Sequence, residues 1–215
     1  DHRDLHKEYR RQRQMCIRDR ATDVDHATLK AARSLGVRIK KVDIEDLPYM
    51  SLINILYAEA AAAFEHLTLS GKDDTLTWQD DGAWPNTFRK ARFLSAVDHV
   101  QLDRLRYLVM KALDELFGKI DILIGPFDTG PMLVASNFTG HPCLHLRAGF
   151  QKLASRGAAS LGDGKLNTGE AGAGRESTVP HGISLWGRLF EEETILNFGM
   201  ALEKVLDVNK RRPSL

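Results

Sequence analysis

Three short stretches in the last third of the chain limit its possible folds more than any other feature. Residues 120–124 form an apolar run, which Gly125 and Pro126 end, and residues 142–146 and 182–185 are two further strand candidates. Apolar runs of this length, ended by turn residues, are typical of buried strands. Residues 191–206 follow with helical spacing and with acidic side chains in the first turn, where they complement the helix dipole. The spacing therefore predicts strands of a sheet and a closing helix.

The earlier part of the chain predicts helices alternating with strands. Thr22 and Asp25 form an N-cap pattern before a stretch with helical apolar spacing, and Gly36 is placed to end that helix. Residues 37–43 then alternate apolar and polar side chains, as a half-buried strand does. Helical patterns follow at residues 49–69 and 84–117, the second with several arginines beside an apolar face. The predicted fold class is α/β.

Composition excludes several kinds of partner. The net charge is +1, from 30 basic and 29 acidic side chains, so no broad charged surface for nucleic acid or membrane is expected. The longest apolar run, residues 52–64, contains Asn54 and Glu59 and is too short to span a bilayer. The two cysteines, Cys16 and Cys143, imply no disulfide framework. We expect a cytoplasmic protein that contacts neither membrane nor nucleic acid directly.

Two segments stand apart from the rest of the chain in composition. Residues 1–21 are highly charged, and we interpret them as a disordered or non-native tail, because residues 14–20 resemble translated sequencing-adapter read-through. Residues 151–178 are rich in Gly, Ala and Ser without apolar periodicity, which predicts a flexible insertion. The predicted folded domain is therefore residues 22–210 with this insertion inside it.

Sequence motifs for a complete catalytic site are missing. The chain contains no Gly-x-Ser-x-Gly, Ser-x-x-Lys, Cys-x-x-Cys or His-Glu-x-x-His string. His141, Cys143 and His145 alternate, so a strand would place these three possible zinc ligands on one face. Successive side chains on one face of a strand project in parallel, however, which disfavours convergence on a metal ion. We therefore predict no metal site and no cofactor.

Three pieces of the chain together resemble the C-terminal half of an amidase-signature enzyme. They are residues 120–126, residues 137–142 with Gly149 and Phe150, and residues 180–191. The resemblance covers residues 22–210, apart from the Gly-rich insertion. It implies a mixed central sheet flanked by helices, here an incomplete amidase-signature fold. It also implies cleavage of carboxamide C–N bonds by a Ser–cis-Ser–Lys triad.

The catalytic half of such an enzyme has no counterpart in this sequence. No position matches the Gly/Ser-rich stretch that carries the triad, so no catalytic residue is predicted and the chain alone is expected to be inactive. By resemblance, the loop after the first apolar run lines the pocket for a small amide substrate, and strand-end loops hold ligands in α/β sheets generally. The alternative is that the aromatic and proline side chains of this loop only pack. The predicted substrate-binding residues are Phe127, Asp128, Thr129, Gly130 and Pro131.

Other functions remain open from the sequence. A second hypothesis is a fragment of the glutamine-hydrolysing subunit of a tRNA-dependent amidotransferase, although Gly130 stands where that subunit would hold glutamine. Arg147 also departs from the family pattern, which has proline there. A third hypothesis is a non-catalytic α/β binding domain. A homodimer is a further expectation, and helices built to cover a larger sheet should leave apolar faces exposed here.

Overall fold

The structure is a computed structural model, and it describes residues 22–126, 129–154 and 176–211. The predicted charged tail and most of the predicted Gly-rich insertion lie outside these residues. Among the described residues, no helix combines the length and apolar character needed to cross a membrane.

Helices make up most of the described chain, and three strands form one sheet. The helices are α1 (Asp23–Ser34), α2 (Ile53–Ala63), α3 (Glu65–Leu69), α4 (Trp84–Ala91), α5 (Ala96–Phe117), α6 (Pro131–Thr139) and α7 (Glu192–Leu206), with 3-10 turns at Tyr49–Leu52 and Lys72–Thr75. The strands are β1 (Ile122–Pro126), β2 (Cys143–Ala154) and β3 (Glu176–Gly187). The predicted α/β fold class is confirmed.

The sheet has the strand order β1-β3-β2, and both pairings are antiparallel. Ile122, Leu144 and Ile183 lie in this one sheet, as the sequence predicts. A mixed sheet is expected, but both strand pairings in the described part of the chain are antiparallel. β1 and β2 run parallel to each other, but β3 lies between them. The central strand β3 therefore pairs with both outer strands and holds the sheet together.

The two faces of the sheet pack into different cores. Ile183 and Leu185 on β3 join Ala32 of α1 and Leu202 of α7 in one buried cluster. Trp186, the next residue along β3, points to the opposite face and belongs to the second cluster. Side chains from α5, α6 and the first 3-10 turn complete that cluster. The strand β3 is thus buried on both faces, as its apolar run predicts.

Glycines let α1 and α7 approach the sheet closely. A Cβ added to Gly199 would lie 2.4 Å from Leu144 Cδ2, and one added to Gly149 would lie 2.7 Å from Val24 Cγ1. Both distances are below what atoms in contact tolerate, so a larger residue at either position would force Leu144 or Val24 to move. These two positions define how tightly the first core closes.

Several elements differ from the sequence prediction. The predicted helix over residues 49–69 is a 3-10 turn followed by the separate helices α2 and α3. Residues 37–43 are not a strand in the structure, because they run without a ladder partner among the described residues. Their alternation still reflects half-burial, since Ile39 packs on one cluster and Val42 on the other. The predicted helix over residues 84–117 is two helices, because Ser95 caps a new helix by accepting a hydrogen bond from the Asp98 backbone N–H at 3.0 Å.

The segment predicted as a flexible insertion begins and ends as strand. Residues 151–154 belong to β2 and pair with residues 176–179 of β3. Residues 155–175 lie outside the described part of the chain. The Gly-rich segment therefore joins the two arms of a long β-hairpin. The helix α6, which the sequence analysis did not predict, follows the candidate substrate loop directly.

Candidate functional site

The loop between β1 and α6 holds the predicted substrate-binding residues. Thr129 is half-buried, while Gly130 and Pro131 are exposed. Phe127 and Asp128 lie outside the described residues. Gly130 has φ +51° and ψ −136°, a conformation that side chains disfavour, and Pro131 occupies the first turn of α6 where no backbone N–H is required. The local sequence therefore fixes how the chain enters α6, and substrate contact by this loop remains a prediction.

Trp186 holds the end of β1 in place beside this loop. Its side chain is buried and lies across Gly125, where an added Cβ would come within 2.7 Å of Trp186 Cζ3. Gly125 is needed here because the backbone of β1 and the indole ring approach each other closely. The strand that leads into the candidate loop is thereby packed against the second core.

A chain of polar side chains crosses the sheet next to this point. His145 Nδ1 lies 2.8 Å from the Oγ of Ser184, a fully buried residue, and the Ser184 hydroxyl donates to the Pro126 carbonyl at 3.3 Å. On the other side of the imidazole, Nε2 lies 3.6 Å from Cys143 Sγ. Cys143 and His145 are both exposed. The polar chain thus runs from the last residue of β1 to the outer edge of β2.

The predicted alternation of His141, Cys143 and His145 does not produce a metal site. The His141 ring stacks on Phe117 with centroids 4.9 Å apart, and its Nδ1 lies 2.7 Å from Thr139 Oγ1. It therefore belongs to a different environment from the two residues that follow it on β2. In the part of the chain that the structure describes, no group of three or more His, Cys, Asp or Glu side chains could hold a metal ion.

Burial changes the acid–base properties of two of these groups. It lowers the pKa of His141 below 6.5, and the negative charge of Asp114 acts in the opposite direction with a smaller effect. Burial also raises the pKa of the Cys143 thiol. Both groups are therefore held towards their neutral forms.

A second polar cluster ties α1 to the other face of the sheet. His181 Nε2 lies 3.0 Å from Asp25 Oδ1, and both residues are buried. Thr22 Oγ1 lies 3.3 Å from the same nitrogen, and Thr22 and Asp25 form the capping box of α1. The sequence shows the capping pattern, but the His181 contact spans 156 positions and no local signal could reveal it.

The comparisons with known proteins give a fold. No protein-family model and no curated protein matches the chain. Solved structures do: a 6-aminohexanoate cyclic dimer hydrolase matches with TM-score 0.60 and 17% identity over 92% of this chain. A bacterial aryl acylamidase of the amidase signature family matches with TM-score 0.59 and 17% identity over 89%. An allophanate hydrolase from Kluyveromyces lactis matches with TM-score 0.57 and 19% identity over 89%.

These similar structures are amidase-signature enzymes, and the resemblance predicted from the sequence is confirmed at the level of the fold. The chain has the fold of part of such an enzyme. It covers 44% of the cyclic dimer hydrolase, 43% of the aryl acylamidase and 32% of the allophanate hydrolase. The chain therefore spans less than half the length of each of these proteins.

Proposed function

We propose that this chain forms the scaffold and one pocket wall of a hydrolase that cleaves carboxamide C–N bonds. The observation that carries the proposal is the fold match, which extends over about nine-tenths of the chain in three amidase-signature structures. The nucleophilic serine, the bridging serine and the lysine base would come from the part of the enzyme that this sequence does not include. The chain on its own is then inactive, and its cellular location is the cytoplasm.

The turn after β1 is the part of the chain that meets the substrate in this proposal. Its support is geometric: Gly130 and Pro131 are exposed at a sheet end, while the buried Trp186 fixes the strand before them. Exposed loops on a packed scaffold are where binding residues concentrate. A small amide would lie against this turn.

The experiment is to recover the genomic sequence upstream of this chain and to express the extended protein. We expect a Gly/Ser-rich stretch preceded by a lysine, and hydrolysis of at least one member of a panel of aryl acylamides and cyclic or linear amides. Alanine at the signature serines should abolish turnover, since covalent catalysis depends on that nucleophile. Thr129→Val should raise KM with a smaller change in kcat, because it would alter binding and not the triad.

Two results would overturn the proposal. One is an upstream sequence without the serine and lysine signature, which would favour a non-catalytic binding domain. The other is an extended protein that folds but cleaves none of the amides. Thr68 on α3 is half-buried like Thr129 and provides a matched control. An extended protein in which Thr129→Val and Thr68→Val behave identically would contradict only the role of the loop.

A further inference from the structure

Cys143 occupies an unusual position for a thiol. It is the first residue of β2, an outer strand of the sheet, and it is exposed. The outer edge of β2 has no partner strand among the described residues. An electrophile in solvent can therefore reach the sulfur without any rearrangement of the fold.

The hydrogen-bond chain behind Cys143 accommodates an imidazole that carries its proton on Nδ1. Ser184 has one hydroxyl proton, and it donates that proton to the Pro126 carbonyl. With that proton committed, its oxygen is free to accept from His145 Nδ1, which lies 2.8 Å away. A neutral imidazole protonated at Nδ1 has its lone pair at Nε2, and Nε2 is the atom that faces Cys143 Sγ at 3.6 Å.

The groups around this pair do not oppose that arrangement. On β3, the residues in register with Cys143 and His145 are Trp186 and Ser184, and neither titrates near neutral pH. The next residue on the same face of β2 is Arg147, whose guanidinium donates to the carbonyl oxygens of Asn209 and Arg211. Cys143, His145 and Ser184 therefore form a nucleophile, a base and a group that orients the base.

We propose that Cys143 is a base-assisted nucleophile and that this edge of the sheet is a covalent modification site for soft electrophiles. With an alkyl halide such as iodoacetamide, an S–C bond forms while the C–I bond breaks and iodide leaves with the bonding electrons. The thiol proton passes to His145 Nε2 and then to solvent. Because burial raises the pKa of the thiol, little thiolate exists at neutral pH and reaction there depends on the imidazole.

The test measures alkylation of the whole 215-residue chain by iodoacetamide, with mass spectrometry of the peptides that contain Cys143 and Cys16. Cys16 is an internal reference thiol in the same sample. His145→Gln should slow alkylation of Cys143 at pH 7 by about tenfold, a modest loss for removal of a general base. The same variant should change the rate little at alkaline pH above the raised pKa of the thiol, where the thiolate forms without help, and should leave Cys16 unaffected at both pH values.

Ser184→Ala provides a second variant that leaves the base itself in place. It should slow Cys143 at pH 7 by about threefold, since Nδ1 loses the partner that fixes its proton. Equal rates of Cys143 alkylation in the wild type and His145→Gln at pH 7 would overturn the proposal. Equal slowing of Cys143 and Cys16, or equal slowing at neutral and alkaline pH, would also overturn it, because a general loss of structure predicts those results.

Discussion

The two faces of the sheet differ in how completely this chain covers them. On one face, α1 and α7 bury Ile183 and Leu185, and the His181–Asp25 pair fastens α1 in place. We refer to this as the closed face. On the other, the open face, helices cover Trp186, but Cys143 and His145 two strand positions apart are left exposed. The same strands are therefore fully covered on the closed face and only partly covered on the open face.

The difference shows which parts of the fold this chain can specify alone. The closed face has apolar side chains from three strands and two helices. The glycines Gly149 and Gly199 allow the helices and the strands to approach closely. The open face combines a packed end with a polar end, and the first turns of α5 are exposed as well. Under the proposed function, the open face is where the remainder of a larger enzyme would complete the structure.

The largest expected effect comes from the closed face. Leu185 is fully buried, and Leu185→Ala removes its side chain from the core between β3 and the two helices. We expect a loss of about 2–5 kcal/mol in the free energy of unfolding, measured by urea denaturation. Its neighbour Ser184 is equally buried but points to the open face, and Ser184→Ala should cost only about 1 kcal/mol. Equal losses would mean that the two faces do not differ in packing.

The next effect tests the attachment of α1 to the closed face. Asp25→Ala removes both the capping-box carboxylate and the buried partner of His181. We expect a loss of about 2–4 kcal/mol by thermal or urea unfolding, from the lost helix cap and from the hydrogen bond that the buried His181 loses.

Asp23 offers a matched control for this change. It lies in the same first turn of α1 but is exposed, so Asp23→Ala should cost only a few tenths of a kcal/mol through the helix dipole. A double variant, Asp25→Ala with His181→Ala, should lose less than the sum of its single variants. Strict additivity would show that the pair does not act as a unit.

The sequence predicted β1 and one end of β2 and of β3, because those signals are local, but it missed residues 147–154 of β2 and 176–181 of β3. Apolar runs ended by Gly125 and Pro126 mark β1 directly, and alternation at His145 marks β2. The Ser184–His145 contact could not be predicted, because it depends on which residues face each other across two strands. The strand predicted at residues 37–43 failed for a related reason: alternation reports half-burial, and half-burial does not require a ladder partner. Strand register and strand partners depend on tertiary structure and cannot be read from a single sequence.

A smaller effect depends on pH and concerns the helix-covered end of the open face. The pKa of His141 is lowered by burial, so the unfolded chain takes up a proton more readily than the folded chain does. This contribution to stability is fully present above pH 6.5, the ordinary value, and is lost as the pH falls towards the lower folded pKa. His141→Gln should therefore flatten the decline in urea midpoint over that range. His99→Gln, an exposed change on α5, should keep the wild-type slope, and identical slopes in all three proteins would contradict the assignment.

The smallest effect on stability, and a large one on surface properties, is expected at the start of α5. Val97 and Val100 are 69% and 56% exposed, and all of residues 96–101 are exposed. Exposed apolar groups in this number mark surfaces that bind partners or aggregate. Val97→Ser with Val100→Ser should reduce binding of a hydrophobic dye and slow aggregation, while changing the free energy of unfolding by less than about 1 kcal/mol.

The matched control, His99→Ser with Gln101→Ser, alters two exposed polar positions on the same helix and should leave dye binding unchanged. If both double variants reduce dye binding equally, the apolar character of Val97 and Val100 is not the cause of the binding.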